Sequence, residues 1–317
     1  MYFHHDDVLI QSDKVKIFVK KSKKNIIFDD YFEYSFYINH FLFYHIIMNA
    51  VDNEHLILVP CDFSPLAFQA MGHGAYMSKA MNCRLVILHV TAREAEISAM
   101  KKKLCFVAEE CMDNFDIRPE VMVRQGSSSY SVIKAVANEL NPALVILKTG
   151  GGIRTIKILS GTSVPFLVIQ GPPAGNVLNN ISFPINFLNQ HDEKLKRVVH
   201  FSEFFPGAVM HIITPSGKGT EKERAVAMSI SLMNKVMESQ GIKTNFIKHD
   251  KEKNTAETIL ELSKDMDMIV IQMEEASSFS KFFFGLREEK LITNANRIPV
   301  LCFNNEADFI STRRNRS

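Results

Sequence analysis

The chain has 317 residues, with 37 basic and 35 acidic side chains and 46% hydrophobic residues. That balance excludes a charge-driven binder of polyanions or anionic membranes and describes a globular protein with enough chain for two ordinary domains or one large one. The cysteines, Cys61, Cys83, Cys105, Cys111 and Cys302, form no CxxC pair and no Cys/His cluster at metal-ligand spacing, so they read as reduced thiols of a cytoplasmic protein with no metal.

Residues 1–47 differ from the rest. They lack Gly, Ala, Pro and Arg, hold five of the seven tyrosines, and include the aromatic run YFEYSFYINHFLFYH. The residues present have AT-rich codons, so the segment reads as a mis-called start, with Met48 the expected first residue, or as a disordered or interfacial extension. The apolar part, 31–47, carries Glu33, Asn39, His40 and His45 and is shorter than the ~20 apolar residues of a spanning helix.

From His55 onward, short apolar runs alternate with helical stretches. HLILVP is a strand; PLAFQAMGHGAYMSKAM is a helix with Ser64 as N-cap and Pro65 in its first turn. RLVILHV is a buried strand, and AREAEISAMKKKLCFVAEECMDNF an amphipathic helix with Ile97, Leu104, Val107 and Cys111 on one face. IRPEVMVRQG, SSYSVIKAVANEL, ALVILK and PFLVIQ follow as strand, helix, strand and strand. Continuous apolar strands separated by helices imply parallel βαβ units covered on both faces.

After the linker QGPPAGN the order restarts. NISFPINF answers HLILVPCDF, and GAVMHII answers RLVILHV, which sets His211 in the place of His89. The helix GTEKERAVAMSISLMNKVMESQ comes next, then IKTNFIKHD, TAETILELSKD, MDMIVIQ, LREEKLITNAN and RIPVLCF. SVPFLVI and RIPVLCF share an X-Pro entry into a last apolar strand. The predicted fold is α/β: two tandem doubly wound five-stranded parallel-sheet domains. Their expected bounds are 48–171 and 179–305, joined by a linker at 172–178 and followed by a tail at 306–317.

On LILVPCDFSPLAFQA, RLVILHV, PALVILK and VPFLVI, with ISFPINF, VMHII, DMIVIQ and IPVLCF in the second half, the chain resembles the universal stress proteins in their tandem form. The resemblance covers nearly all of 55–304. It implies an adenine nucleotide alpha hydrolase-like fold, domains that pair through their last strands, and a stress-response role, with ATP bound in some members and not in others.

ATP-binding members carry G-x2-G-x9-G-[ST] after the fourth strand. Early glycines let the backbone close on phosphates, and the late Gly-Ser/Thr opens a helix whose free N–H groups hold the anion. In the first half Gly151 and Gly161-Thr162 keep that spacing, with Lys148 at the first glycine position, but only Ser163 and Val164 separate Thr162 from Pro165 and the last strand. Gly161 is then expected to end the short helix IRTIKIL, not to open one. In the second half LREEKLITNAN supplies a helix, but Gln272, Glu275 and Leu286 replace the motif residues and Asn186 replaces Asp62. Glu274 and Glu275 each oppose a phosphate by about 4 kcal/mol at ~4 Å before screening.

The expectation is a regulatory or interaction module that binds no ATP and is not an enzyme. The alternative is an ATP- or AMP-binding protein, or weak ATPase, working through the first domain. Pro60, Cys61, Asp62, Val90, Lys148, Gly150 and Gly151 form the candidate vestigial nucleotide site, at the strand ends where open α/β sheets place ligands. By resemblance, Cys61, Asp62 and Val90 match positions that contact base and ribose, and Gly151 a phosphate-loop glycine; otherwise Asp62 caps the first helix and the glycines form a turn. A third alternative, an electron-transfer flavoprotein-like or adenylating domain, needs a glycine-rich loop after its first strand, and this chain has PCDFSP there.

His89, His211 and His73 read as structural, Phe279 to Leu286 as cover for the sheet or seam, and Lys101 to Lys103 and the Arg313, Arg314 and Arg316 tail as solvated charge. Expected partners are a second copy or the other domain, paired through the strands that follow Pro165 and Pro299, and an unidentified protein. Neither nucleic acid nor membrane is among them.

Overall fold

In a computed structural model the described residues are 55–149, 162, 164–172, 178–185, 198–199, 201–216, 219–250, 255–272 and 286–303 (backbone only at 272 and 286–288), with the backbone of 7–12, 15–21 and 26–27. The chain divides into two compact units, 1–52 and 53–317. In the first, β1 (Asp7–Ser12), β2 (Val15–Lys21) and β3 (Ile26–Ile27) form an antiparallel sheet in which Ile10 pairs with Ile17 and Lys20 with Ile27. These strands were not assigned from the sequence.

The second unit is built on one ten-stranded sheet. Its first five strands are β4 (Leu56–Pro60), β5 (Arg84–Thr91), β6 (Glu120–Gln125), β7 (Leu144–Lys148) and β8 (Phe166–Ile169). The next five are β9 (Asn180–Pro184), β10 (Val209–Pro215), β11 (Lys243–His249), β12 (Met268–Gln272) and β13 (Val300–Phe303). The order across the sheet is β11-β10-β9-β12-β13-β8-β7-β4-β5-β6. Each set of five is parallel, and the two sets meet in one antiparallel seam, β8 against β13. Val300 pairs there with Val168, Leu301 with Leu167 and Cys302 with Phe166.

Helices bounded among the described residues are α1 (Pro65–Met81), α2 (Ile97–Phe115), α3 (Ser129–Leu140), α4 (Thr220–Ser239), α5 (Ala256–Leu262) and α6 (Leu286–Ile292). Local chemistry sets their ends. Ser64, Ser128 and Thr255 cap α1, α3 and α5 by accepting a backbone N–H three residues on, while Asn82, Asp116 and Asn141 end α1, α2 and α3 in the left-handed conformation. The run read as one helix from Ala92 begins instead as a 3-10 turn, Glu94–Glu96, that leads into α2. The run read as helical through Asn296 stops at Ile292, where Asn294 donates to the carbonyls of Leu291 and Ile298 and accepts the Ile298 N–H.

A continuous core crosses the seam on one face. Leu58, Val86, Leu88, Val145 and Phe166 meet Ile133 and Val136 of α3 on one side, and Ile269, Ile271 and Val300 meet Ile259 of α5 and Leu291 of α6 on the other. On the opposite face α1 lies so close that a Cβ on Gly74 would stand 2.8 Å from Val59 Cγ2 and 3.0 Å from Leu85 Cδ1. The sheet is therefore covered on both sides, which is why its strands are apolar at consecutive positions.

Candidate functional site

Strand β4 has β5 on one side and β7 on the other, so the chain reverses its winding direction at β4. Ligands of open α/β sheets sit outside the carboxyl ends of the strands at such a switch point. Pro60 ends β4, Lys148 ends β7 and Val90 lies near the end of β5, so Pro60, Cys61, Asp62, Val90 and Lys148 gather at one crevice. Gly150, Gly151, Gly161, the IRTIKIL stretch, Asn186, Glu274, Glu275 and the arginine tail lie outside the described residues, as do the side chains of Gln272 and of Phe279 to Leu286.

An ion pair spans the crevice. The Lys148 ammonium contacts Asp62 Oδ2 and donates to Ser64 Oγ at 2.7 Å, while Asp62 Oδ1 accepts the Ser64 N–H at 3.1 Å. Asp62 is thus not the cap of α1. Ser64 is, and Asp62 braces the turn that presents it. Partial burial works to raise the Asp62 pKa, but the hydrogen bonds from Lys148 and Ser64 outweigh it and hold the carboxyl below the usual carboxylate range. Cys61 is 3% exposed, and burial pushes its thiol up, the behaviour of an inert packed cysteine.

Between Asp62 and Ser64, Phe63 takes φ 61°, a left-handed conformation that a bulky side chain rarely adopts. Its ring lies 4.6 Å from the His89 ring and 3.9 Å beneath the Lys103 ammonium. His89 in turn donates from Nδ1 to the Cys61 carbonyl at 2.8 Å. Sequence reasoning missed Phe63 and Lys103, since a Phe after an Asp gives no sign of positive φ and a Lys-Lys-Lys run gives no sign of which ammonium finds a ring. Lys101, Lys102 and Lys103 are all exposed.

The strand register corrects the match of His211 to His89. Pro60 pairs with Leu88, and Pro184 with Ile213; the Cys61 N–H donates to the Leu88 carbonyl at 2.7 Å, and the Ile185 N–H to the Ile213 carbonyl at 2.8 Å. The counterpart of His89 is therefore Thr214, and His211 corresponds to Val86. His211 donates from Nε2 to Asn180 Oδ1 at 3.0 Å and accepts from Asn245 Nδ2 at 3.2 Å, so both ring nitrogens are spent on the sheet. No group of three or more His, Cys, Asp or Glu among the described residues has metal-binding geometry. No helix among them is long and apolar enough to cross a membrane.

His73 is 5% exposed and donates from Nε2 to the Gly171 carbonyl at 3.1 Å; one turn on, Tyr76 Oη accepts the Leu178 N–H at 2.9 Å. Both ends of the segment that joins the two halves are thus tied to one face of α1. Burial lowers the His73 pKa to about 4, so the ring is neutral at pH 7.

No protein-family model matches the sequence, and no curated protein does. Solved structures do. A universal stress protein from Archaeoglobus fulgidus superposes with a TM-score of 0.61 at 17% identity, covering 80% of this chain and 97% of that one. A functionally unknown protein from Pseudomonas aeruginosa gives 0.56 at 16% identity over 82% and 94%. A second Pseudomonas aeruginosa protein, assigned to the universal stress proteins, gives 0.56 at 15% over 82% and 95%. With the strand order repeated in both halves and the crevice at β4, this is the universal stress protein fold.

Proposed function

We propose that the protein is a universal stress protein of the kind that does not bind ATP, a cytoplasmic stress-response module that acts by association and not by turnover. The observation that carries this reading is the connection into β8. Thr162, Val164 and Pro165 are non-helical and β8 starts at Phe166, which leaves no room after Gly161-Thr162 for a helix whose N-terminus receives phosphates. The Lys148 ammonium, at the carboxyl end of β7, is already shared between Asp62 and Ser64.

The convergence of Asp62, Lys148, Cys61 and Val90 on one crevice favours a second reading, an ATP or AMP binder or weak ATPase that uses the first half with Gly151. A half-exposed ion pair stabilises by about 0–1 kcal/mol and does not by itself bar a ligand. Thermal unfolding of the purified chain with and without ATP or AMP separates the two, alongside native mass spectrometry for a co-purifying nucleotide. No shift and no bound nucleotide are expected. A rise of several degrees at micromolar ATP, abolished by Asp62→Ala, overturns the first reading in favour of the second.

A further inference from the structure

Helices α2 and α4 follow the second strand of each half and occupy corresponding places, so each is an internal control for the other. Their inward residues match: Val107 and Cys111 of α2 align with Met233 and Met237 of α4, all buried. In that alignment Ala99, Lys102, Phe106 and Glu110 of α2 correspond to Ala225, Met228, Leu232 and Val236 of α4. The fold accepts charge at the second and fourth of these positions in α2. In α4 all four are apolar, and they fall at i, i+3, i+7 and i+11, one stripe along the outer face. Met228 is 73% exposed and Leu232 55% exposed. A surface helix needs one apolar face, and α4 has two.

We infer that the outer stripe of α4 is a self-association surface that pairs antiparallel with α4 of a second copy of this chain. The charges at the two ends of the stripe fit a second copy in the antiparallel direction. Arg224, Lys235 and Glu238 are exposed on one flank of the stripe, with Arg224 and Glu238, two heptads apart, at its opposite ends. A two-fold axis between Ile230 and Ser231 brings Arg224 of each copy within a turn of Glu238 of the other and sets Met228 of each near Leu232 of the other. Parallel pairing offers neither Arg224 nor Glu238 an opposite charge. Ser231 is exposed and small, so the helices approach closely at the axis. Glu238 is already oriented, since its Oε1 accepts from Asn234 Nδ2 at 2.6 Å. The surface is self-complementary and closes as a dimer. Strand pairing at the seam competes for none of it, because β8 and β13 are engaged with each other within the chain.

This rests on the association reading above, yet the two fail separately. ATP binding removes that reading and leaves the dimer standing, while a monomeric chain removes the dimer and says nothing about ATP. The test is sedimentation equilibrium of the full chain across micromolar concentrations, the range for a contact of two helices at the small end of interface sizes. A reversible dimer is expected. Leu232→Glu should abolish it, Phe106→Glu on α2 should leave it unchanged, and Arg224→Glu should weaken it about tenfold, with Arg224→Glu plus Glu238→Arg restoring it. All of these positions are exposed, so the variants fold, which circular dichroism verifies. A chain that stays monomeric overturns the proposal. So does a dimer that Leu232→Glu leaves intact, or one that the charge swap fails to restore.

Discussion

Leu167 of β8 and Leu301 of β13 pair directly across the antiparallel seam, and each is 0% exposed. Phe166 corresponds to Val300 and Val168 to Cys302, so the seam pairs exchange under a two-fold rotation and this leucine pair lies on its axis. Leu167→Ala and Leu301→Ala should therefore cost similar amounts, each about 2–5 kcal/mol by urea unfolding. A loss below about 1 kcal/mol at either position would mean the seam is not a packed core.

His73 makes stability depend on pH. Its folded pKa of about 4 lies below the ordinary value of 6.5, so the fold holds the neutral ring and the unfolded chain takes up the proton first. The contribution is complete above pH 6.5 and is lost as pH falls toward 4, about 3 kcal/mol in all. His73→Gln keeps a donor for the Gly171 carbonyl and removes the titration. Its stability profile between pH 4 and 6.5 should be flatter than that of the parent chain, and identical profiles would contradict the assignment.

At Phe63 strain and packing oppose each other. The left-handed backbone costs about 1–3 kcal/mol, while the ring gains contacts with His89 and Lys103. Phe63→Ala loses the contacts and keeps the strain; Phe63→Gly loses the contacts and releases it. The glycine variant should be more stable than the alanine variant by about 1–2 kcal/mol, the reverse of the usual order. Alanine matching or exceeding glycine in thermal unfolding would argue against a strained turn.

Gly74 lies inside α1, where alanine would ordinarily stabilise by about 1 kcal/mol. Here the new Cβ meets Val59 and Leu85 at 3.0 Å or less, and overpacking costs about 1–3 kcal/mol. Gly74→Ala should lower the melting temperature. A higher one would show that α1 can lift from the sheet without loss.

The strands of the large sheet were legible because being covered on both faces forces apolar residues at consecutive positions, as in LVIL of β7. Ser64 and Pro65 announced the start of α1 because a cap is decided by residues adjacent in sequence, whereas the left-handed Asn82 and Asn141 that end α1 and α3 were not read in advance. What escaped was relational. Lys148 and Asp62 are far apart in sequence, and only strand order brings them together. His211 matched His89 in aligned strings, but the hydrogen bonds at Pro60 and Pro184 set a different register. The strands at 7–27 were not legible because the alternating VKIFVKK of β2 is short and lies in a segment rich in Lys, Asp and aromatic residues and free of the glycine and proline that mark turns between strands. Phe63 carried no signal, since backbone strain is a property of the turn that Asp62 and Ser64 build around it.

Because both seam strands belong to one polypeptide, dilution cannot part them, and their pairing is set by a tether and not by the amount of protein in the cell. Joining the two halves also frees each to change alone. A substitution in a dimer of identical chains appears on both sides of the axis at once, whereas here Met228 stands where its twin position holds Lys102. One half can keep the Asp62–Lys148 ion pair at its switch point while the outer face of the other half's long helix changes from charged to apolar.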